Sequence, residues 1–221
     1  HIPVKRPSLP RYYLYTNDQI IELLRYAKKL KPDDSIRPHC FYTLIGLLYV
    51  TGLRIAEALA LNLGYVDTHK GILFVHNGKF AKDRYIVLEK STCQILQNYL
   101  HERTLYEPTG QNAPFFITPL FQRLKYGRVD YTFRRMLAKS QIGRDSPKSP
   151  RIHDLRHAFA CNCLFKWYNE GVDVNTRLAT LATAMGHIDI NASQIYLHVT
   201  STLMNQAARR FQNTFTINYK G

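Results

Sequence analysis

Apolar positions recur with helical spacing along most of the chain, interrupted once by a stretch in which they alternate as in strands. Thr16-Asn17-Asp18-Gln19 has the form of a capping box, Thr as N-cap and Gln at the third helical position. It feeds the run Ile20, Ile21, Leu23, Leu24 and Ala27, which predicts a helix ended by Lys31-Pro32-Asp33-Asp34. A second helix, almost entirely apolar from Phe41 to Val50, is expected deep in the core. Thr51-Gly52 stops it, and Arg54 to Leu61 predicts a short third. The runs Ile72 to Val75 and Arg84 to Leu88, separated by Asn77-Gly78, predict a small antiparallel sheet with Lys79 at or beside its turn. Helical patterns then cover Ser91 to Leu105, Val129 to Ile142, His153 to Glu170, Val174 to Met185, Ala192 to His198 and Ser201 to Phe211.

The predicted class is therefore mainly α with one small antiparallel sheet (α+β). No internal repeat is visible. With 221 residues, 45% of them apolar, the chain can bury a substantial core, and one domain with an extension at each end is expected. Residues 1–15, Pro-rich and basic to Pro10, read as a linker or arm, 16–200 as the main domain, and 201–221 as a C-terminal helix and tail. The first residues, from His1 to Pro7, carry neither an initiator Met nor an apolar signal region, as in a piece of a longer protein.

Charge adds a partner to this picture. Lys and Arg number 30 against 16 Asp and Glu, a formal charge of +14, so a polyanion is the natural partner. The basic residues are scattered and form no amphipathic anchor, which favours nucleic acid over an acidic membrane surface. No apolar run approaches a membrane span; the longest candidate is Tyr42 to Val50. Cys40, Cys93, Cys161 and Cys163 form no C-x-x-C pair and read as reduced thiols of a cytoplasmic protein.

Three clusters can carry chemistry. In Thr51-Gly52-Leu53-Arg54-Ile55-Ala56-Glu57, an Arg stands at the head of a helix with Glu57 one turn on. It reads either as a surface ion pair or as a guanidinium, held by Glu57, converging with the helix N-terminus on an anion. In Arg151-Ile152-His153-Asp154-Leu155-Arg156-His157, His153 and Arg156 share a helix face, as part of a solvated basic surface or as a pair addressing one phosphate. Met185-Gly186-His187 is followed nine residues later by Tyr196. Composition alone cannot choose Tyr196 among 15 tyrosines.

Taken in order, these segments resemble the catalytic segments of the tyrosine recombinase (phage integrase) family over nearly the whole chain. The family pattern T-G-L-R, G-K-G-x-K-x-R, H-x-L-R-H, L-G-H and a following Tyr appears here as T-G-L-R at Arg54, G-K-F-A-K-D-R at Lys79, H-D-L-R-H at His153 and Arg156, M-G-H at His187, and Y-L-H-V at Tyr196. Phe80 and Met185 depart from the usual Gly and Leu, and Phe80 leaves open whether Lys79 or Lys82 enters the site. The K-F-x-K variant and the segment Lys166 to Asp173 look like recombinases of bacterial mobile elements.

The resemblance implies a site of Arg54, Lys79, His153, Arg156, His187 and Tyr196, supported by Glu57, with Lys82, Arg84 and Arg151 along the DNA. Two arginines would clamp the non-bridging oxygens of a phosphodiester, so that no metal, ATP or other cofactor is required. Tyr196 would attack, His153 acting as base, Lys79 protonating the departing 5′-oxygen and His187 bonding the phosphate or the Tyr oxygen, to leave a 3′-phosphotyrosine. Double-stranded DNA, a DNA-bound tetramer of the chain itself and an N-terminal core-binding domain are the implied partners. The apolar stripe Leu203, Met204, Ala207, Ala208 and Phe211 packs on its own core or docks on a neighbouring protomer. The alternatives are a type IB topoisomerase and a DNA-binding regulator without chemistry; the complete set of six residues speaks against the second.

Overall fold

The computed structural model describes residues 12–76, 83–186 and 196–197. Helix α1 (Asn17–Lys28) begins as the capping box requires: Thr16 Oγ1 accepts from Gln19 N at 3.3 Å, and the Gln19 side chain accepts from Thr16 N at 3.1 Å. Helix α2 (Ile36–Thr51) starts a turn and a half before the apolar run, because Ser35 caps it and Pro38 is tolerated in a first turn whose N–H groups lack intrahelical partners. Its buried residues make it the central helix, and it ends at Gly52 with φ 63°. Helix α3 (Ile55–Ala60) follows, with Arg54 at its N-cap.

The sheet has three antiparallel strands in sequence order, β1 (Val66–Asp67), β2 (Ile72–Val75) and β3 (Arg84–Val87). Ile72 pairs with Val87 and Val75 with Arg84. The short β1 escapes sequence reading because two residues cannot show an alternation. Helices α4 (Lys90–Arg103), α5 (Tyr126–Ser140), α6 (Asp154–Asn169) and α7 (Val174–Met185) complete the described elements, all within a few residues of expectation. The expected helices at Ser201 to Phe211 and around Tyr196 lie outside the described residues, apart from Tyr196 and Leu197, which are helical.

Two hydrophobic clusters form. The larger joins α1 to α5, the sheet and the start of α6. The smaller gathers Tyr12, Ala160, Cys161, Leu164, Val174, Leu178, Leu181, Met185 and Tyr196. Tyr12 and Tyr15, which the sequence places in the arm, are each only 6% exposed, so the packed domain begins earlier than residue 16. Among the described residues none of the four cysteines forms a disulfide, and no helix is long and apolar enough to cross a membrane. Part of the basic excess is turned inward: Arg103 is buried and donates to the carbonyls of Tyr106, Pro108 and Pro114, and Arg123 donates to those of Leu59 and Leu61.

Candidate active site

The C-terminal end of α7 is the meeting point of the site. The last carbonyls of a helix have no N–H partner and carry the negative end of its dipole. Three consecutive ones here each accept from a different arginine: Ala184 O from Arg84 Nε at 3.1 Å, Met185 O from Arg156 Nη2, and Gly186 O from Arg54 Nη2 at 2.8 Å. Gly186 closes the helix with φ 62°, and a Cβ there would lie 2.8 Å from Arg84 Nη1 and 3.3 Å from Arg54 Nη1. Only glycine combines that conformation with that approach.

Arg54 reaches this point because the turn after Gly52 aims it back toward α7. Glu57, one turn along α3, accepts from both its backbone N at 2.9 Å and its Nη1 at 2.8 Å, so the ion pair read from the sequence is present. Arg84 from β3 binds the same carboxylate through Nη1 at 3.0 Å and Nη2 at 2.7 Å. Burial would raise the Glu57 carboxyl, but the hydrogen bonds from Arg84 and Arg54 outweigh it and hold it below the usual carboxylate range.

Arg156 is 3% exposed and bridges the ends of two helices, donating to Gly52 O as well as to Met185 O. Burial, and then the neighbouring Arg54, push its pKa down to about 10, so it remains a cation at neutral pH. His153 stands exposed at the N-cap of α6, and Asp154 beside it is buried and takes Arg151 as its partner. The protein behind His153 and the Arg156 charge lower the pKa of its imidazole.

The imidazole in contact with the Tyr196 hydroxyl is that of His157, not His153, the base expected from the sequence. His157 Nδ1 lies 2.9 Å from Tyr196 Oη, and Tyr12 stacks on the His157 ring with centroids 4.1 Å apart. Burial, the neighbouring His153 and the nearby Arg151 and Arg156 push His157 down to about 4, so at neutral pH it is uncharged. With its proton on Nε2, Nδ1 accepts from the tyrosine. Tyr196 is 3% exposed. Burial pushes its pKa up to about 12, while Arg156 and Arg54 pull the other way, so at rest Tyr196 is a protonated phenol.

The structure thus gathers Arg54, Glu57, Arg156 and Tyr196 at one end of α7, with His153 next to His157 at a ring-centroid distance of 5.2 Å. Lys79, Lys82 and His187 lie outside the described residues. Arg151, with a side chain 58% exposed, is open to solvent while bonded to Asp154. Arg84, expected along the DNA, is instead turned inward, its side chain 11% exposed. His157 and Tyr12 were not selected from the sequence, although His157 continues the α6 face of Ala160, Cys161 and Leu164, a spacing that marks it as inward.

Comparison with known proteins bears on the family and the fold. The model of the phage integrase family matches residues 14–202. A putative integrase/recombinase, y4rB of Sinorhizobium fredii, is 35% identical over 212 residues, 94% of this chain and 68% of the relative. Tyrosine recombinase XerA of Pyrococcus furiosus is 27% identical over 209 residues, 94% of this chain and 65% of that protein. The fold is that of the XerH site-specific recombinase bound to palindromic difH substrate, with a TM-score of 0.69 at 24% identity, covering 93% of this chain and 54% of that one. This chain therefore spans about two thirds of such relatives' length. A family model that matches most of the chain, and a tyrosine held near buried Arg156 and partly exposed Arg54, lead to one conclusion: the chain belongs to the phage integrase family of tyrosine recombinases.

Proposed function

We propose that the chain is the catalytic domain of a site-specific DNA recombinase that cuts and rejoins strands through a phosphotyrosine at Tyr196. The observation that supports this most directly is the Tyr196 hydroxyl, held 2.9 Å from a neutral imidazole within the field of Arg54 and Arg156. A phosphodiester repels nucleophiles and has a poor leaving group, so the site must supply positive charge and move protons. Arg54 and Arg156 stabilise the charge on the non-bridging oxygens. The bond from Tyr196 Oη to phosphorus forms as the bond to the 5′-oxygen breaks.

The phenol proton passes to His157 Nδ1 during attack rather than before it. A phenol near 12 cannot lose its proton to an imidazole near 4 until bonding to phosphorus has made it acidic. The leaving oxygen receives a proton from Lys79 or Lys82, an assignment that rests on the family pattern. The 3′-phosphotyrosine keeps the energy of the broken bond, so attack by another 5′-hydroxyl reseals the strand without ATP. In the whole protein this domain works with a core-binding domain and further copies of itself on duplex DNA.

The test is a denaturing gel of the protein with a labelled pool of nicked duplexes whose flanks are randomised. Wild type should leave a covalent adduct and Tyr196→Phe none, while both bind duplex DNA alike. An adduct that persists in Tyr196→Phe would move the nucleophile elsewhere.

A further inference from the structure

The geometry points to Arg84 as a positioning residue that keeps the phosphate clamp cationic by sharing Glu57 with Arg54; this inference rests on the function proposed above. Glu57 accepts four hydrogen bonds, two from Arg54 and two from the Arg84 side chain. Arg54 and Glu57 alone would form a neutral pair, with the guanidinium drawn toward its own carboxylate. Adding Arg84 leaves one net positive charge on the trio and divides the pull of the carboxylate between two cations. The bidentate geometry fixes Arg84 in the plane of the carboxylate, which Lys cannot reproduce.

The third bond of Arg84, from Nε to Ala184 O, ties β3 to the end of α7. In sequence, Lys79 lies between β2 and β3, and His187 follows α7. One guanidinium therefore sets the distance between the strand that follows the lysine and the helix that precedes the histidine. Gly186 leaves the space that this requires: a Cβ there would sit 3.0 Å from Arg84 Cζ. The alternation along β3 places Arg84 on the same side as buried Ile86, and with an 11% exposed side chain it is poorly placed to neutralise a DNA phosphate.

The test separates positioning from DNA contact. Arg84→Gln should form adduct on the randomised nicked pool more slowly by about tenfold to a hundredfold at saturating protein, the loss typical when a group that orients a reacting residue is removed. Its affinity for a generic duplex should fall by less than about twofold, and the slope of log Kd against log salt should stay as in wild type, whereas loss of a phosphate contact would reduce that slope by about 0.9. Arg84→Lys should recover only part of the rate. In a Glu57→Gln background the Arg84→Gln change should slow the reaction by less than it does in wild type, because its charged partner is gone and only the bond to Ala184 O remains to be lost. That comparison also serves if Arg84→Gln alone fails to fold, since the double variant leaves no unpaired buried carboxylate. Additive losses in the double variant, a wild-type rate in Arg84→Gln, or a shallower salt slope with the rate at saturation unchanged would each overturn the inference. A wild-type protein that forms no adduct would instead sink the proposed function, and this inference with it.

Discussion

Replacing Gly52 or Gly186 by Ala perturbs two helix ends of nearly identical backbone, φ 63° and 62°, and should separate stability from chemistry. At either site the new Cβ sits in the left-handed region, which costs about 1–2 kcal/mol. At Gly52 it would lie 2.3 Å from Phe159 Cδ1 and 2.9 Å from Cε1, inside a packed aromatic contact. Overpacking of that kind adds about 1–3 kcal/mol. The total of about 2–5 kcal/mol corresponds to a Tm loss of roughly 4–20 °C for a chain of this size. At Gly186 the atoms met are the ends of two flexible side chains, Arg84 Nη1 at 2.8 Å and Arg54 Nη1 at 3.3 Å, which can swing aside. The Tm loss should then stay near roughly 2–8 °C. Swinging aside, however, breaks the bonds to Glu57 and to the α7 carbonyls, so adduct formation should slow by at least about tenfold, or ~1.4 kcal/mol of transition-state stabilisation. Thermal melts by circular dichroism and single-turnover adduct formation well below both midpoints measure the two effects. A Gly186→Ala protein that reacts at the wild-type rate, or one as destabilised as Gly52→Ala, would refute the reasoning.

Arg156→Ala should lower both DNA affinity and the rate at saturation, because one cation serves the bound phosphate and the transition state; filter binding and single-turnover gels read the two separately. EDTA should change neither, since the arginines supply the positive charge, and an adduct that requires Mg²⁺ would contradict this. The folded-state pKa of His157 lies near 4 against an ordinary 6.5, so between these values the unfolded chain binds more protons. Stability should therefore fall as pH drops through that window, and His157→Phe, which keeps the stacking on Tyr12, should flatten the dependence of Tm on pH.

Local signals were the legible ones. The Thr16 capping box and the Arg54–Glu57 pair depend on residues three apart, and both form as the spacing implies. Gly52 and Gly186 marked helix ends that are left-handed in the structure. What escaped depends on contacts distant in sequence. Arg84 reads as a surface cation until its partner Glu57, 27 residues away, is known, although its alternation with Ile86 was a usable sign. His157 meets a tyrosine 39 residues on, and its stacking partner Tyr12 adjoins a Pro-rich basic segment whose composition suggests no core. The start of α2 lies outside the apolar run from Phe41 to Val50 because its first residues include Arg37, Pro38 and His39.

Tyr196 and the Arg54–Glu57 pair pack against different hydrophobic clusters. Tyr196 packs with Tyr12, Leu164, Leu178 and Met185, whereas Leu53 and Ala58, on either side of Arg54 and Glu57, belong to the larger cluster. Proteins open locally in contiguous units whose free energies differ. Because α7 packs in the smaller cluster and its last carbonyls accept from Arg54, Arg84 and Arg156, opening of that cluster would withdraw the tyrosine and release one set of bonds to the arginines together, leaving a molecule that cannot react. Side chains such as Leu178, which touch no reacting atom, thereby set the fraction of competent molecules. Their substitution should change the amplitude of a single-turnover burst and leave the rate constant of the reacting fraction as it was.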